Sequence, residues 1–283
     1  MRIIAPGKLV LTGAYAVLEG APAIVVAVDR YAVADVAEPD EVDVRALHDE
    51  SGAKLGMGSS AASMVASEAA RAVAKGRDVR DAAVRASLFA VVRDRHAQAQ
   101  HGGSGVDVAA AVHGGALRYA IDGHEASIQP VTLPASLVLA AFWSGTSART
   151  SDLRARVEVL AERNRGVVFE NLHRAAREAA ASIQGGDATC FVRATREFGQ
   201  ALRALGEAAD APIVPPDFAE LASLAVAEDA AFLPSGAGGG DVAVWLGLAP
   251  PSAAFCARAR ALSMRPLAVG VDRGGVRPES PAS

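Results

Sequence analysis

Cysteine is scarce in this 283-residue chain: Cys190 and Cys256 stand far apart in Ala/Arg-rich surroundings, so a disulfide framework is not expected and a reducing compartment fits. The six histidines, at 48, 96, 101, 113, 124 and 173, form neither an H-E-x-x-H pattern nor a Cys/His pairing, which argues against a structural transition-metal site. No apolar run reaches ~18 residues without a charge or a glycine cluster, and the opening Met1–Lys8 is too short an apolar run for a signal peptide. Net charge is −4 and no Lys/Arg-rich segment is interleaved with aromatics, so the electrostatic footprint of a nucleic-acid binder is missing. A soluble, cytoplasmic protein without nucleic-acid or membrane partners is the expectation.

About half of the residues are hydrophobic (51%), enough to bury a sizeable core in one large or two moderate domains. Short β-rich runs come first, Leu9 to Thr12, Ala23 to Ala27, Tyr31 to Val36 and Val42 to Ala46, separated by Gly, Pro and Asp turn signals. From Ser59 to Lys75 the apolar positions recur at helical spacing, with Gly58-Ser59-Ser60 as turn and N-cap, and Asp78 to Arg95 reads as a second helix. A short Ala-rich helix, a hairpin around Asp122-Gly123 and a strand from Leu137 to Trp143 follow. Helices are then expected over Ser151 to Arg163, Phe169 to Gln184 and Asp187 to Ala208. A strand from Val242 to Leu248, a helix near Ser252 to Leu262 and a strand near Leu267 to Val271 complete an α+β pattern, with a loose Pro/Ser-rich tail from Gly274.

Four features could carry chemistry. In Lys54-Leu55-Gly56-Met57-Gly58-Ser59-Ser60-Ala61, glycines let backbone approach a polyphosphate, the helix start offers unpaired N–H groups, and a serine hydroxyl can reach phosphate or Mg²⁺. A plain Gly-rich turn would look the same, and the spacing is not that of a Walker A loop. Pro234-Ser235-Gly236-Ala237-Gly238-Gly239-Gly240-Asp241 is a second such loop, which in isolation reads as a flexible turn. Ser104-Gly105-Val106-Asp107 puts a carboxylate at the mouth of a short helix, where it could equally serve only the helix dipole. Ala5-Pro6-Gly7-Lys8 places a lone lysine just before an apolar strand.

Taken in order, Ala5-Pro6-Gly7-Lys8 with Gly13-Ala14-Tyr15, the Gly-Ser-Ser loop, Ser104 to Asp107 and Ser235 to Asp241 resemble the successive motifs of the GHMP kinases. Within that superfamily the chain is most similar to phosphomevalonate kinases, through the lysine before the Gly-Ser-Ser loop and the run Phe142-Trp143-Ser144-Gly145-Thr146-Ser147-Ala148-Arg149-Thr150-Ser151. The resemblance implies a two-domain α+β fold, with a ribosomal-protein-S5-type N-terminal domain over residues 1–146, a ferredoxin-like domain over 147–273 and the tail 274–283. ATP and acceptor are expected between the domains. The implied reaction is ATP-dependent phosphorylation of 5-phosphomevalonate, with mevalonate kinase, another GHMP kinase or a ligand-sensing homologue as alternatives.

Asp107 and Lys8 would be catalytic, and Lys54, Gly56, Met57, Gly58, Ser59, Ser60 and Ala61 would hold ATP, with Ser60 near Mg²⁺. Lys8, Tyr15, Ser104, Ser147, Arg149, Thr150, Ser151, Gly238 and Gly239 would face the acceptor, a small phosphorylated molecule. The protein is expected as a monomer or homodimer. Two departures from the family stand out: the segment Glu38 to Ala53 is short where an adenine-holding insertion is usual. The helix before Asp107 reads Arg93-Asp94-Arg95-His96-Ala97-Gln98, where many members carry a metal-binding Glu.

Overall fold

A computed structural model describes residues 1–100, 102–123, 125–147 and 150–280. In chain order the first elements are β1 (Arg2–Thr12), β2 (Ala23–Asp35), β3 (Val42–Asp43), α1 (Ser59–Ala74), α2 (Ala82–Ala99), α3 (Val106–His113), β4 (Ala116–Asp122) and β5 (Glu125–Val131). Then come β6 (Val138–Trp143), α4 (Thr150–Arg163), α5 (Gly166–Gln184), α6 (Ala188–Ala208), α7 (Pro216–Ala227), β7 (Ala231–Pro234), β8 (Val242–Gly247), α8 (Ala253–Ala261), β9 (Arg265–Leu267) and β10 (Arg277–Pro278). One sheet runs β10-β1-β2-β4-β5 with β3 on β2, and another runs β7-β8-β6-β9.

The chain divides into two compact units. The first takes Met1–Leu9, Val25–Leu117 and the segment from Gly270 on; the second takes Val10–Ile24 and Arg118–Val269. The expected boundary at 146 therefore falls inside the second unit, because β6 is paired with β8 from Val138↔Gly247 to Trp143↔Val242 and cannot be separated from the later elements.

In the first unit α1, α2 and α3 pack on one another. The buried face of α1, with Ala61, Ala62, Val65, Ala66, Ala69 and Ala70, repeats at helical spacing, and its small residues permit close helix approach. The Asp81 carboxylate caps α2 by accepting from the Ala83 and Val84 N–H groups at 2.9 and 3.1 Å. β2 is one continuous strand where two runs were expected. Asp29, which reads as a break, fits because its carboxylate accepts from Gly270 N–H at 2.6 Å.

The tail is not loose through residue 280. Asp272, 4% exposed, accepts from Arg277 Nη2 at 2.7 Å, Tyr31 Oη at 2.8 Å and Gly275 N–H at 2.8 Å. Burial alone would raise its pKa, but these donors hold the carboxyl below its ordinary value. β10 then pairs antiparallel with β1, Ile3 opposite Pro278.

In the second unit α5 and α6 pack together, joined through Gly186 at φ 72° and Asp187, which caps α6 by accepting from Cys190 N–H at 2.9 Å. α7 and β7 were not anticipated from the sequence. They matter to the core, because Phe218 and Leu221 of α7 and Phe232 of β7 cluster with Phe142, Trp245 and Phe255. The Trp245 and Phe255 rings meet edge-on at 4.6 Å. β9 starts two residues earlier than expected and ends four earlier: Pro266 sits within it opposite Phe142, tolerated because β9 is an edge strand.

Candidate functional site

In the first unit β1, the turn before α1 and the start of α3 meet at one point. Lys8 N–H donates to the Met57 carbonyl at 2.9 Å, which draws β1 against the turn. That approach needs Gly7, where a Cβ would come within 2.8 Å of the Met57 carbonyl oxygen and 2.6 Å of Leu47 Cδ2. Gly58, at φ 75°, closes over the lysine: a Cβ there would lie 3.1 Å from Lys8 Cγ and Cε and 3.5 Å from Asp107 Oδ2. Lys8 Nζ stands 3.5 Å from Asp107 Oδ1, with side-chain exposures of 8% and 28%. The lysine is thus nearly withdrawn from water and paired, while the carboxylate keeps access to solvent and sits in the first turn of α3, where the helix dipole favours negative charge.

Gly58 itself is the N-cap of α1, and no side chain caps the helix, so the expected serine N-cap is absent. The first helical bond is Ala62 N–H to the Gly58 carbonyl, at 3.0 Å, which leaves the N–H groups of the preceding turn outside the helical ladder. Ser59 is buried, Ser60 half-buried and Lys54 exposed; Gly56 adopts φ 79°. Met57 and Ala61 direct their side chains into the core, so only their backbone is left to meet a ligand. The Ser104 hydroxyl accepts from Val106 N–H at 3.3 Å and thereby helps to start α3.

A histidine that sequence reasoning set aside belongs to this cluster. His96, half-buried on α2, has its pKa held below the ordinary value first by burial; Asp107 pushes it back up and Lys8 pushes it further down. Its charged neighbours are the two residues of the ion pair. The only sequence signal was its place on the helix preceding Asp107.

In the second unit the glycine-rich loop is held from within. The Tyr15 hydroxyl donates to the Ala237 carbonyl at 2.7 Å, and the Ser235 hydroxyl accepts from Val10 N–H at 2.8 Å. Tyr15 is 9% exposed with φ 62°, and burial pushes its phenol upward, so it remains a proton donor. Tyr15, expected to face the acceptor, thus has its hydroxyl proton engaged by the loop. Gly238 and Gly239, expected to face the acceptor, pack against Ile213. A Cβ on Gly238 would fall 2.0 Å from the Ile213 carbonyl oxygen, and Gly239 N–H already donates to that oxygen at 2.9 Å. These glycines let the loop fold onto Ile213, and the Gly239 donor is occupied.

Asp241 N–H donates to the Thr146 carbonyl at 2.7 Å and Ser144 N–H to the Asp241 carbonyl at 2.9 Å, tying the loop to the segment after β6. Ser147, Thr150 and Ser151 are exposed, and the Ser151 hydroxyl donates to Asp152 Oδ1 at 3.2 Å. Arg149 lies outside the described residues.

With this geometry in view, comparison with solved structures decides the fold. The chain superposes on the Lin0012 protein from Listeria innocua with a TM-score of 0.85 at 20% identity, covering 98% of each chain. It superposes on Streptococcus pneumoniae phosphomevalonate kinase, in complex with phosphomevalonate and AMPPNP, with a TM-score of 0.78 at 17% identity, covering 96% of this chain and 99% of that one. The chain has the GHMP kinase fold. Among curated proteins it is 31% identical over 228 residues to the phosphomevalonate kinase of Streptomyces sp. (strain CL190), a match spanning 71% of this chain and 59% of that protein. The matched region is thus less than two thirds of that relative's length. No family model matches the chain. Within the GHMP kinase fold, the Lys8, Gly58 and Asp107 cluster lies on three elements of one unit.

Among the described residues no group of three His, Cys, Asp or Glu side chains is placed to hold a metal ion. No helix among them is long and apolar enough to cross a membrane. Asp94, on the helix where a metal-binding carboxylate was sought, is exposed and engaged by Arg93 at 3.3 Å.

Proposed function

We propose that this GHMP-fold chain transfers the terminal phosphoryl group of ATP to 5-phosphomevalonate, giving ADP and 5-diphosphomevalonate. The observation that carries the reading is the Lys8–Asp107 pair lodged under Gly58 at the start of α1. Phosphoryl transfer asks little covalent chemistry of a protein; it asks for positioning and for charge placed where it develops. The uncapped first turn of α1 offers N–H groups and a positive helix end to the ATP phosphates. Lys8 neutralises charge on the group in transfer. Asp107, partly open to water, orients the acceptor.

In the reaction an acceptor phosphate oxygen forms a bond to the γ-phosphorus while the bond to the β–γ bridging oxygen breaks. A phosphate monoester, with its second ionisation near pH 6, is largely dianionic at neutral pH, so Asp107 positions the nucleophile more than it deprotonates it. Mg²⁺ would be carried largely by phosphate oxygens and water, with the half-buried Ser60 hydroxyl as the protein ligand. Such an ion, when bound, would neutralise phosphate charge.

The choice of phosphomevalonate is supported by the Streptomyces relative and by the phosphomevalonate-bound Streptococcus neighbour. The test is coupled ADP release measured with phosphomevalonate, mevalonate and mevalonate diphosphate side by side. Turnover with phosphomevalonate alone is expected. Preference for mevalonate would reassign the acceptor, and ATP binding without turnover of any of the three would replace the kinase reading with ligand sensing.

A further inference from the structure

A recess in the second unit, where α6, α7 and β7 meet, contains none of the Lys8, Gly58 and Asp107 cluster. Its volume is about 150 Å³, room for a benzene-sized group. Val214, Val226, Phe232 and Leu233 give it an apolar wall, and Arg196 and Arg203 stand on the α6 side. The room exists partly because Gly199, within the unbroken α6, brings no side chain there. A helix-interior glycine costs stability relative to alanine, and a Cβ at this position would meet only ordinary contacts, 3.4 Å from Leu233 Cβ. Packing therefore does not require the glycine.

The charges on the α6 side are underused. Arg196 Nε is buried with no hydrogen-bond partner, and Arg196 enters no ion pair among the described residues. With no carboxylate paired to it among the described residues, the Arg196 guanidinium is left to pair with an anion arriving in the recess. Arg203 is engaged by Glu207 at 2.9 Å, but that pair is more than half exposed on both sides and holds the arginine only weakly. Two guanidinium groups beside an apolar wall match a molecule with an anionic head and a short hydrocarbon tail.

We propose that this recess is a binding site for a small amphipathic anion, its carboxylate or phosphate head on Arg196 and Arg203 and a tail of about six heavy atoms against Val214, Val226 and Phe232. The test is isothermal titration of the full chain with hexanoate, hexyl phosphate and the neutral isostere hexanamide. Both anions should bind, and hexanamide should bind ~10-fold more weakly or worse. The tighter of the two anions identifies the head group. Arg196→Gln should weaken the anions by a similar factor and leave hexanamide unchanged. Gly199→Leu fills the recess from a position where helix propensity favours the change, so it should fold and bind none of the three. Equal binding of hexanamide and hexanoate, undiminished binding by Gly199→Leu, or no heat with either anion would each overturn the assignment. Because Arg196→Gln and Gly199→Leu alter separate half-buried positions by different means, loss of the fold in one leaves the other to decide.

Discussion

The ion pair at the heart of the cluster is unevenly buried, and that asymmetry predicts which partner the fold can spare. Two unit charges 3.5 Å apart attract by about 5 kcal/mol at an effective dielectric constant of ~20, before desolvation is subtracted. Lys8→Met removes the more deeply buried charge and leaves Asp107 with water access and the α3 dipole, so the net stability change should be small, within ~1 kcal/mol. Asp107→Asn instead strands an ammonium that is 8% exposed, and the cost should approach ~3 kcal/mol. The double variant, with no stranded charge, should recover most of that loss. Urea unfolding of the four proteins measures this cycle. In the kinase reading turnover falls ~10²-fold or more in each single variant, and the double loses little beyond the worse one. An Asp107→Asn protein as stable as the parent, or a double variant no more stable than Asp107→Asn, would refute the electrostatic argument. Near-normal turnover in a folded single variant would remove that residue from the mechanism.

Gly58→Ala puts a side chain at φ 75° and 3.1 Å from the Lys8 stem, so ATP affinity by calorimetry should drop ~10-fold or more while stability falls by ~1 kcal/mol; unchanged affinity would place the phosphates elsewhere. The neutral forms of His96, His113 and His173 are favoured in the fold, chiefly by burial, so the unfolded chain takes up more protons. Stability should therefore be lost as pH falls from the ordinary histidine value of 6.5 toward the lower folded values, and His96→Gln should shrink that loss in melts recorded across the range. Tyr15→Phe deletes the bond to Ala237 and should cost ~1 kcal/mol with the ATP KM unchanged; no loss of stability would mean that the bond does not hold the loop. Arg149→Ala should raise the acceptor KM far more than the ATP KM, and equal effects on both would place the acceptor elsewhere.

Local signals were readable where the chain needs only its neighbours. Gly58 followed by two serines and an alanine-rich periodicity marks the start of α1, and Gly186 with Asp187 marks the break before α6. The resemblance named Lys8 and Asp107 together as catalytic candidates, and the structure stands them within ion-pairing distance. Nonlocal contacts left no comparable trace. Nothing near Gly238 in sequence announces that the Ile213 carbonyl will approach it, so the packing role of the glycines was not legible there. His96 gives no local sign that Asp107 and Lys8 are its neighbours. α7 was missed although Pro216 in its first turn and Asp217 after it are start signals, because the alanine-rich stretch that follows lacks a strong amphipathic contrast.

The knot around Asp272 bears on how the molecule is made. Residues 3–4 pair with 277–278, and the Asp272 carbonyl accepts from Gly115 N–H at 2.6 Å, so the first unit is stitched shut by a segment synthesised after the whole of the second unit. During translation α1, α2 and α3 must wait, with the edge of β1 open, while all of Arg118–Val269 is added. An unpaired strand edge is an invitation to association. A nascent chain stalled or cut before residue 270 therefore carries an exposed β1 and lacks the Asp272 anchor for Tyr31, which makes premature termination in this region a route to aggregation rather than to a shortened but folded protein.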